Sequence, residues 1–503
     1  MGIYDLTCYD IIRRNAWMYK DVPAWLEEHK NRSTTFAEFM KNVDELACGL
    51  QQSGIAKGDR IGVIGKNSLE YFMIYGAAAA IGAIVLPINW RLSADEMIFN
   101  LNDGEPKMLF VDKEFQEIIS DALDRIPSVE ICHNLSDGGG FGDFDALFDN
   151  GSEFRSIEVF SDDGYIIIHT AAVAGRPRGA LLTHSNVLCA NMHLRDGLNL
   201  SSSDVHLNLL PLFHVGGLFM AFSAFHAGVQ NINMPKFDGN RAVELIAEKN
   251  VSLLFDFSPI LGNVLDEHEK SGRDISSLQK VIGLDSPETI ERYQKLTGGT
   301  FFSMYGQTET SCLVSLSPYN HQPGSAGRPI PLCDIMLSDD DGCAVPVGKA
   351  GEILVRGPMV FKGYWGLEEE TARTFRDGWH HTGDLGRIDG GGYLWYAGRK
   401  AEKELIKPGG ENVYPAEVEK AILAHPAVEK TVVFGVPDPK WKEGIKAVCL
   451  LQKGQSLTSK DLIRFVGRRI ASFKKPQYVE FVDALPMTPS GEIDRDKVKA
   501  LYS

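Results

Sequence analysis

Apolar and polar positions alternate between two periods along residues 34–160. Thr34-Thr35 followed by Glu38 is a capping box that opens a helix to Leu50. Residues 59–65 (DRIGVIG) read as a strand, residues 68–82 as a helix and residues 83–87 as a strand. Such alternation predicts a parallel sheet with helices on its faces, an α/β architecture. The longest apolar run, residues 73–88, holds glycines, alanines and a proline. It is too short to cross a bilayer and reads as a buried helix running into a strand, so no transmembrane segment is expected. Residues 137–142 (DGGGFG) read as a loop tip, and no repeat interrupts the pattern.

Farther on, several strand-like runs end in residues able to do chemistry. Residues 165–169 (YIIIH) form a strong strand that leads into TAAVAGRPRGA, with a helix expected after Thr183. Strand, small-residue loop and helix is one way to gather backbone amides around a phosphate, although a tight turn gives the same pattern. The run LPLFHVGG reads as a strand end carrying His214, Gly216 and Gly217. FFSMYGQTET reads as a strand whose C-terminal end presents Tyr305, Gly306, Thr308 and Glu309. In open α/β sheets ligands bind beyond such ends. Glu309 suits Mg2+ held against a phosphate, or equally the acidic first turn of a helix.

The stretch from Thr382 to Pro415 concentrates the most chemistry. Asp384 lies near glycines, where a short carboxylate suits a sugar diol. Arg399 ends the strand-like run YLWYAGR and suits a phosphate or ribose. Residues 400–407 are charged, as a hinge would be, and Gly409-Gly410 permits close backbone approach to a thin ligand.

Composition narrows the class. A chain of 503 residues exceeds one core and predicts several sub-domains. The net charge of -16 is uneven: from Gly398 onward there are 19 Lys and Arg against 14 Asp and Glu. An acidic body with a mildly basic C-terminal lobe argues against nucleic-acid binding and permits a polyphosphate ligand. The eight cysteines show no metal spacing, and the chain opens without a basic and apolar leader pattern. Both features predict a reduced, cytoplasmic protein.

Six motifs in order carry a resemblance: TAAVAGRPRGALLTH, LPLFHVGG, MYGQTE, GEILVRGPMVFKGYW, HTGDLG and GRKAEKELIKPGGENVYPAEVE. With them the chain resembles the AMP-forming acyl-CoA synthetases of the adenylate-forming superfamily over about residues 10–500. The resemblance implies a large N-terminal domain, residues 1–397, of two α/β sheets and a distorted β-barrel. It also implies a small mobile α+β domain, residues 398–503. The implied chemistry joins a carboxylic acid to ATP as an acyl-adenylate and then to coenzyme A. By resemblance Asp384 and Arg399 bind the ribose, Thr308 the AMP phosphate and Glu309 the Mg2+. Tyr305 packs on the adenine, beside Gly306. The segment from Gly283 to Ser286, with Asp285, lines the adenine and acyl ends. Thr170 and Arg178 belong to the phosphate loop. His214, Gly216, Gly217 and Ser258 belong to the acyl pocket and pantetheine entrance, and Gly409 and Gly410 to the pantetheine tunnel. The pivot falls at Lys403 by its spacing to the following strand, or at Ala401 by its spacing from Arg399. The acyl-pocket residues are apolar or small, which predicts an apolar monocarboxylate.

Two departures fall on the ATP half-reaction. The family's phosphate loop is rich in hydroxyls and ends in Pro-Lys-Gly, whereas residues 170–179 read TAAVAGRPRG. Near the C-terminus the family places a lysine between the attacking carboxylate and the α-phosphate, and here that position is Glu492. Three functions therefore stand: a complete ligase with weakened adenylation, an enzyme running mainly the acyl-AMP/acyl-CoA half-reaction, and a non-catalytic adenylate or acyl-CoA binder.

Overall fold

The computed structural model describes residues 5–136, 138–148, 154–155, 157–170, 177–399, 405–439, 441–487 and 493–503. Both pivot candidates, Ala401 and Lys403, together with Glu492 and residues 171–176 of the phosphate loop, lie outside the described residues. The chain divides into two compact units. One comprises Met1–Trp90, Asn100–His169 and Gly179–Gly398, and the other Arg91–Phe99, Thr170–Arg178 and Arg399–Ser503.

The expected helices form where the sequence caps them. Thr35 and Glu38 exchange both bonds of a capping box at the start of Phe36–Gln52. Ser68 caps Leu69–Ile81, which ends at Gly82 in the left-handed conformation. Every residue of that second helix is buried, and it leads into the equally buried strand Ile84–Ile88. An apolar helix without a polar face belongs inside a core, and this one does.

Among the described residues the first unit holds three sheets. A seven-stranded sheet contains Arg60–Ile64, Ile84–Ile88 and Gly164–Thr170 side by side in parallel. A nine-stranded sheet has a parallel centre in which Val205–Asn208, Leu253–Phe257, Lys280–Leu284 and Thr300–Tyr305 are successive neighbours. A five-stranded sheet supplies the half-barrel, with Ala350–Arg356 antiparallel to Trp379–Ile388. The second unit is an α/β lobe built on a three-stranded sheet, Val428–Asp438, Lys442–Leu451 and Tyr478–Val482.

Two sequence expectations are corrected. The phosphate loop does not run from strand to helix. Residues Arg178–Thr183 form a second strand hydrogen-bonded beside Gly164–Thr170, and the helix His184–Gly197 begins only after it. The alternation of Ala180, Leu182 and their neighbours suits a strand, and Thr183 with Asn186 supplies the later cap. The helix expected after Thr183 does begin there, behind this strand. His214 and its glycines do not end a strand either. The strand stops at Asn208, and His214 caps the helix Val215–His226, placing Gly216 and Gly217 in its first turn.

Candidate active site

The parallel centre of the nine-stranded sheet explains why distant motifs meet. Four neighbouring strands end at Asn208, Phe257, Leu284 and Tyr305, all at one edge. The segments that follow carry His214, Ser258, Asp285, and Gly306 with Thr308 and Glu309. Ligands of open α/β sheets bind beyond that edge.

Asp384 lies in the strand Trp379–Ile388 and is almost wholly buried. Its Oδ2 accepts a hydrogen bond from the Tyr305 hydroxyl at 2.7 Å and another from Gln307 Nε2 at 2.5 Å. Gln307 Nε2 also donates to the carbonyl of Thr382 at 3.1 Å, and its Oε1 lies 3.4 Å from His380 Nε2. Two hydrogen bonds to one oxygen satisfy a buried carboxyl group and fix its direction. Tyr305, expected as a ring against adenine, is also a polar anchor, and its ring centroid lies 6.2 Å from that of Tyr396.

Thr308 and Glu309 open a single 3-10 turn, Thr308–Thr310, after the strand. Glu309 is buried and its Oε1 accepts from the Tyr364 hydroxyl at 2.8 Å. Tyr364 pairs with Ala180 across the strand that leaves the phosphate loop. Glu309 and the loop's second arm are thereby tied to one tyrosine. At the neck of the loop the Thr170 hydroxyl donates to the carbonyl of Arg178 at 3.4 Å. Cys312 is three residues past Glu309, and burial pushes its thiol up to about 12. It is a neutral thiol at physiological pH, and no thiolate nucleophile arises there.

On the acyl side, His214 Nδ1 accepts from the Gly216 amide at 3.2 Å, which leaves the proton of the neutral ring on Nε2. Its ring stands edge-on to Phe257 with centroids 6.0 Å apart. A Cβ on Gly216 would lie 3.0 Å from the Phe257 ring and 3.6 Å from Phe255, so this glycine faces aromatic walls. Gly217, Gly283 and Gly306 differ: each is pressed against a backbone carbonyl, of Pro211, Asp256 and Cys312 respectively. Their lack of a side chain is explained by packing. The Asp285 Oδ1 accepts from the Ser286 amide at 2.6 Å. The Ser258 amide donates to Leu284 at 3.1 Å, fastening two adjacent strand ends.

In the second unit Arg399 Nη1 donates to the Tyr414 hydroxyl at 3.3 Å. Gly409 and Gly410 lie in the short turn Pro408–Gly410. Gly409 has φ of 59°, and a Cβ there would meet Trp441 at 2.8 Å. Arg495 donates to Glu419 at 2.7 Å and to the Val433 carbonyl at 3.0 Å.

Family comparison agrees with this geometry. The family described as AMP-binding enzyme matches residues 12–365, and the AMP-binding enzyme C-terminal domain matches residues 417–492. The chain belongs to the AMP-binding enzyme family. An indoleacetate–CoA ligase from Aromatoleum aromaticum is 34% identical over 94% of both chains. A long-chain-fatty-acid–CoA ligase from Mycobacterium tuberculosis is 30% identical over 98% of both. The solved structure of an o-succinylbenzoate CoA synthetase double mutant from Bacillus subtilis, bound with a product analogue, is 27% identical. It superposes with a TM-score of 0.87 over 98% of both chains.

Within this AMP-binding enzyme, sequence reasoning passed over Gln307, Tyr364 and Glu352. Each sits inside a recognisable motif, but its work depends on a partner at least 29 residues away. Among the described residues no helix is long and apolar enough to cross a membrane.

Proposed function

We propose that this AMP-forming acid–CoA ligase acts on an apolar monocarboxylate through an acyl-adenylate, with weak adenylation and an intact thioester step. The observation that carries the adenylate site is the convergence of Tyr305 and Gln307 on the buried Asp384 carboxylate. A fixed carboxylate acceptor beside the end of the parallel strand Thr300–Tyr305 suits a ribose diol.

On this reading Asp384 and Arg399 take the ribose hydroxyls, and Thr308 donates to the α-phosphate. Glu309, anchored by Tyr364, would hold Mg2+, a cation that needs only one or two protein carboxylates beside phosphates and water. That ion would supply charge neutralisation at the phosphates. The carboxylate oxygen attacks the α-phosphorus, the bond to the bridging oxygen breaks, and pyrophosphate leaves. The CoA thiolate then attacks the acyl carbon and AMP leaves. His214 stands between the acyl pocket and the thiol's approach, and Gly409 and Gly410 flank the pantetheine. The small domain, residues 398–503, would pivot at Lys403 or Ala401 between the two steps. Cytoplasmic ATP, CoA and free acid supply the reaction.

The aromatic walls at Phe255 and Phe257, faced by Gly216 in the first turn of its helix, favour an alkyl or aryl chain over a charged one. Indoleacetate and long-chain fatty acids, two of the acids in the relatives' names, fit that class, whereas o-succinylbenzoate carries a second carboxylate. Weak adenylation rests on Glu492 in place of a cation and on the hydroxyl-poor loop. The one hydroxyl retained at the start of the loop, Thr170, is bonded to the carbonyl of Arg178.

Two single-turnover rates test the proposal: acid plus ATP to acyl-AMP, and acyl-AMP plus CoA to acyl-CoA. Adenylation is expected at least tenfold slower than thioester formation. Equal rates would overturn the weakened half-reaction, and absence of both would favour a binding protein.

A further inference from the structure

Asp384 stands in an irregular strand. Across Ala350–Arg356 and Trp379–Ile388, Glu352 pairs with Leu385 and Leu354 pairs with His381. Three residues, Thr382, Gly383 and Asp384, therefore oppose Ile353 alone. A bulge of this kind re-aims the side chains within it. Gly383 accommodates it with φ of 70°, a left-handed conformation open to glycine at little cost.

Four hydrogen bonds fix the bulge. The Thr382 hydroxyl donates to the Ile353 carbonyl at 2.7 Å and accepts from the Asp384 amide at 3.1 Å. Gln307 Nε2 holds the Thr382 carbonyl at 3.1 Å. The fourth bond runs from the Gly383 amide to Glu352 Oε1 at 2.9 Å. Glu352 is a buried carboxylate, and its Oε2 lies 3.2 Å from His381 Nδ1. That nitrogen also lies 2.8 Å from Arg376 Nη2. A strand interior seldom buries a carboxylate, because desolvation is costly without strong partners. Here its Oε1 accepts from the amide of Gly383, the residue before Asp384.

We propose that Glu352 is a positioning residue for the nucleotide, acting through Gly383 to hold Asp384 toward the ribose. The inference rests on the reading of Asp384 as the ribose acceptor. Glu352 touches no substrate. It fixes the amide of the residue before Asp384, while Thr382 holds the Asp384 amide itself, so that binding does not have to order the carboxylate.

The test is AMP binding by calorimetry, together with KM values for ATP, acid and CoA. The proteins are native enzyme, Asp384→Ala, Glu352→Gln, Glu352→Ala and the double alanine variant. Gln keeps an oxygen that can accept from the Gly383 amide, and Ala does not. Glu352→Ala is expected to weaken AMP about tenfold or more, the range for a hydrogen bond involving a charged group. KM for ATP should rise with it, while KM for acid and CoA stays within about twofold. Glu352→Gln should recover most of the affinity, and the double variant should bind no more weakly than Asp384→Ala. Equal loss in Gln and Ala, equal rises in all three KM values, or full additivity in the double variant would overturn the positioning role. Unchanged AMP affinity in Asp384→Ala would instead overturn the ribose reading beneath it. If Glu352→Ala fails to fold, the Gln variant still decides: a loss as large as that of Asp384→Ala refutes positioning through the amide.

Discussion

Tyr305 and Asp384 are 79 residues apart in sequence and belong to different sheets, yet the phenol hydroxyl donates to the carboxylate at 2.7 Å. This bond joins the nine-stranded sheet to the half-barrel at the site. Replacing Tyr305 by Phe keeps the ring and removes the donor. Stability should fall by about 1.5–3 kcal/mol, the range for hydrogen bonds to charged groups. Urea unfolding checks it, and AMP affinity should fall in the same variant because Asp384 keeps Gln307 but loses half of its clamp. Unchanged stability together with unchanged AMP affinity would show that the bond is not made in solution.

Much of this arrangement was legible in the chain, and the exceptions share a cause. The Thr35–Glu38 box, the Ser68 cap and the Gly82 stop are local signals, and the helices start and end on them. The strand Arg178–Thr183 was not legible as a strand because its partner, Gly164–Thr170, lies across the loop. His214 looked like a strand end because the apolar run LPLF continues the strand's composition past Asn208. The site shows the same division. Asp384 and Glu309 stand out as carboxylates in glycine-rich or hydroxyl-rich motifs. Gln307, Tyr364 and Glu352 gain meaning only when distant strands are paired.

Three histidines of the first unit predict an acid limit to stability. His184, His206 and His226 are buried, and burial lowers each from the usual value to about 4. In the unfolded chain they titrate near 6.5. Between those values the unfolded state binds more protons, so stability is full above about pH 6.5 and falls as pH drops toward 4. Each contributes roughly 3 kcal/mol over that window, at 1.36 kcal/mol per pH unit. Urea midpoints from pH 7.5 to 4.5 should show the decline, and His206→Gln should flatten it. A midpoint independent of pH across this range would refute the assignment.

Neighbouring glycines at the start of one helix predict different failures. Gly217 abuts the Pro211 carbonyl, so Gly217→Ala should destabilise by about 1–3 kcal/mol as an overpacked core does. Gly216 faces the Phe257 ring at a distance that a methyl group narrows without meeting backbone. Gly216→Ala should raise KM for the acid, more for a bulky aryl acid than for a short alkyl acid, and leave KM for CoA within about twofold. Unfolding midpoints and the two acid KM values separate the cases. A Gly216 variant equally impaired toward both acids would place the acyl chain elsewhere.

Glu492 stands where the family's adenylation lysine would be. An attacking carboxylate and a triphosphate are both anionic, and their approach needs a cation between them. Losing one preorganised stabiliser of this kind costs about 3–4 kcal/mol, or roughly a hundred- to thousandfold in rate. A glutamate at that position adds like charge beside the phosphates when it faces them. Arg495, the nearest cation in sequence on its C-terminal side, donates to Glu419 and the Val433 carbonyl. The hydroxyl-poor loop withholds donors from the departing pyrophosphate as well, but these losses act on one transition state and do not add. The thioester step makes no such demand, because its nucleophile attacks carbon and its leaving group is AMP. Glu492→Lys should therefore raise the single-turnover rate of adenylation at least tenfold and change thioester formation from acyl-AMP by less than about twofold. If both rates rise together, the residue acts on folding or domain movement. If adenylation does not rise, even after Ala171→Ser and Ala174→Thr are added to restore loop hydroxyls, position 492 does not face the phosphates and the weakened half-reaction loses its cause.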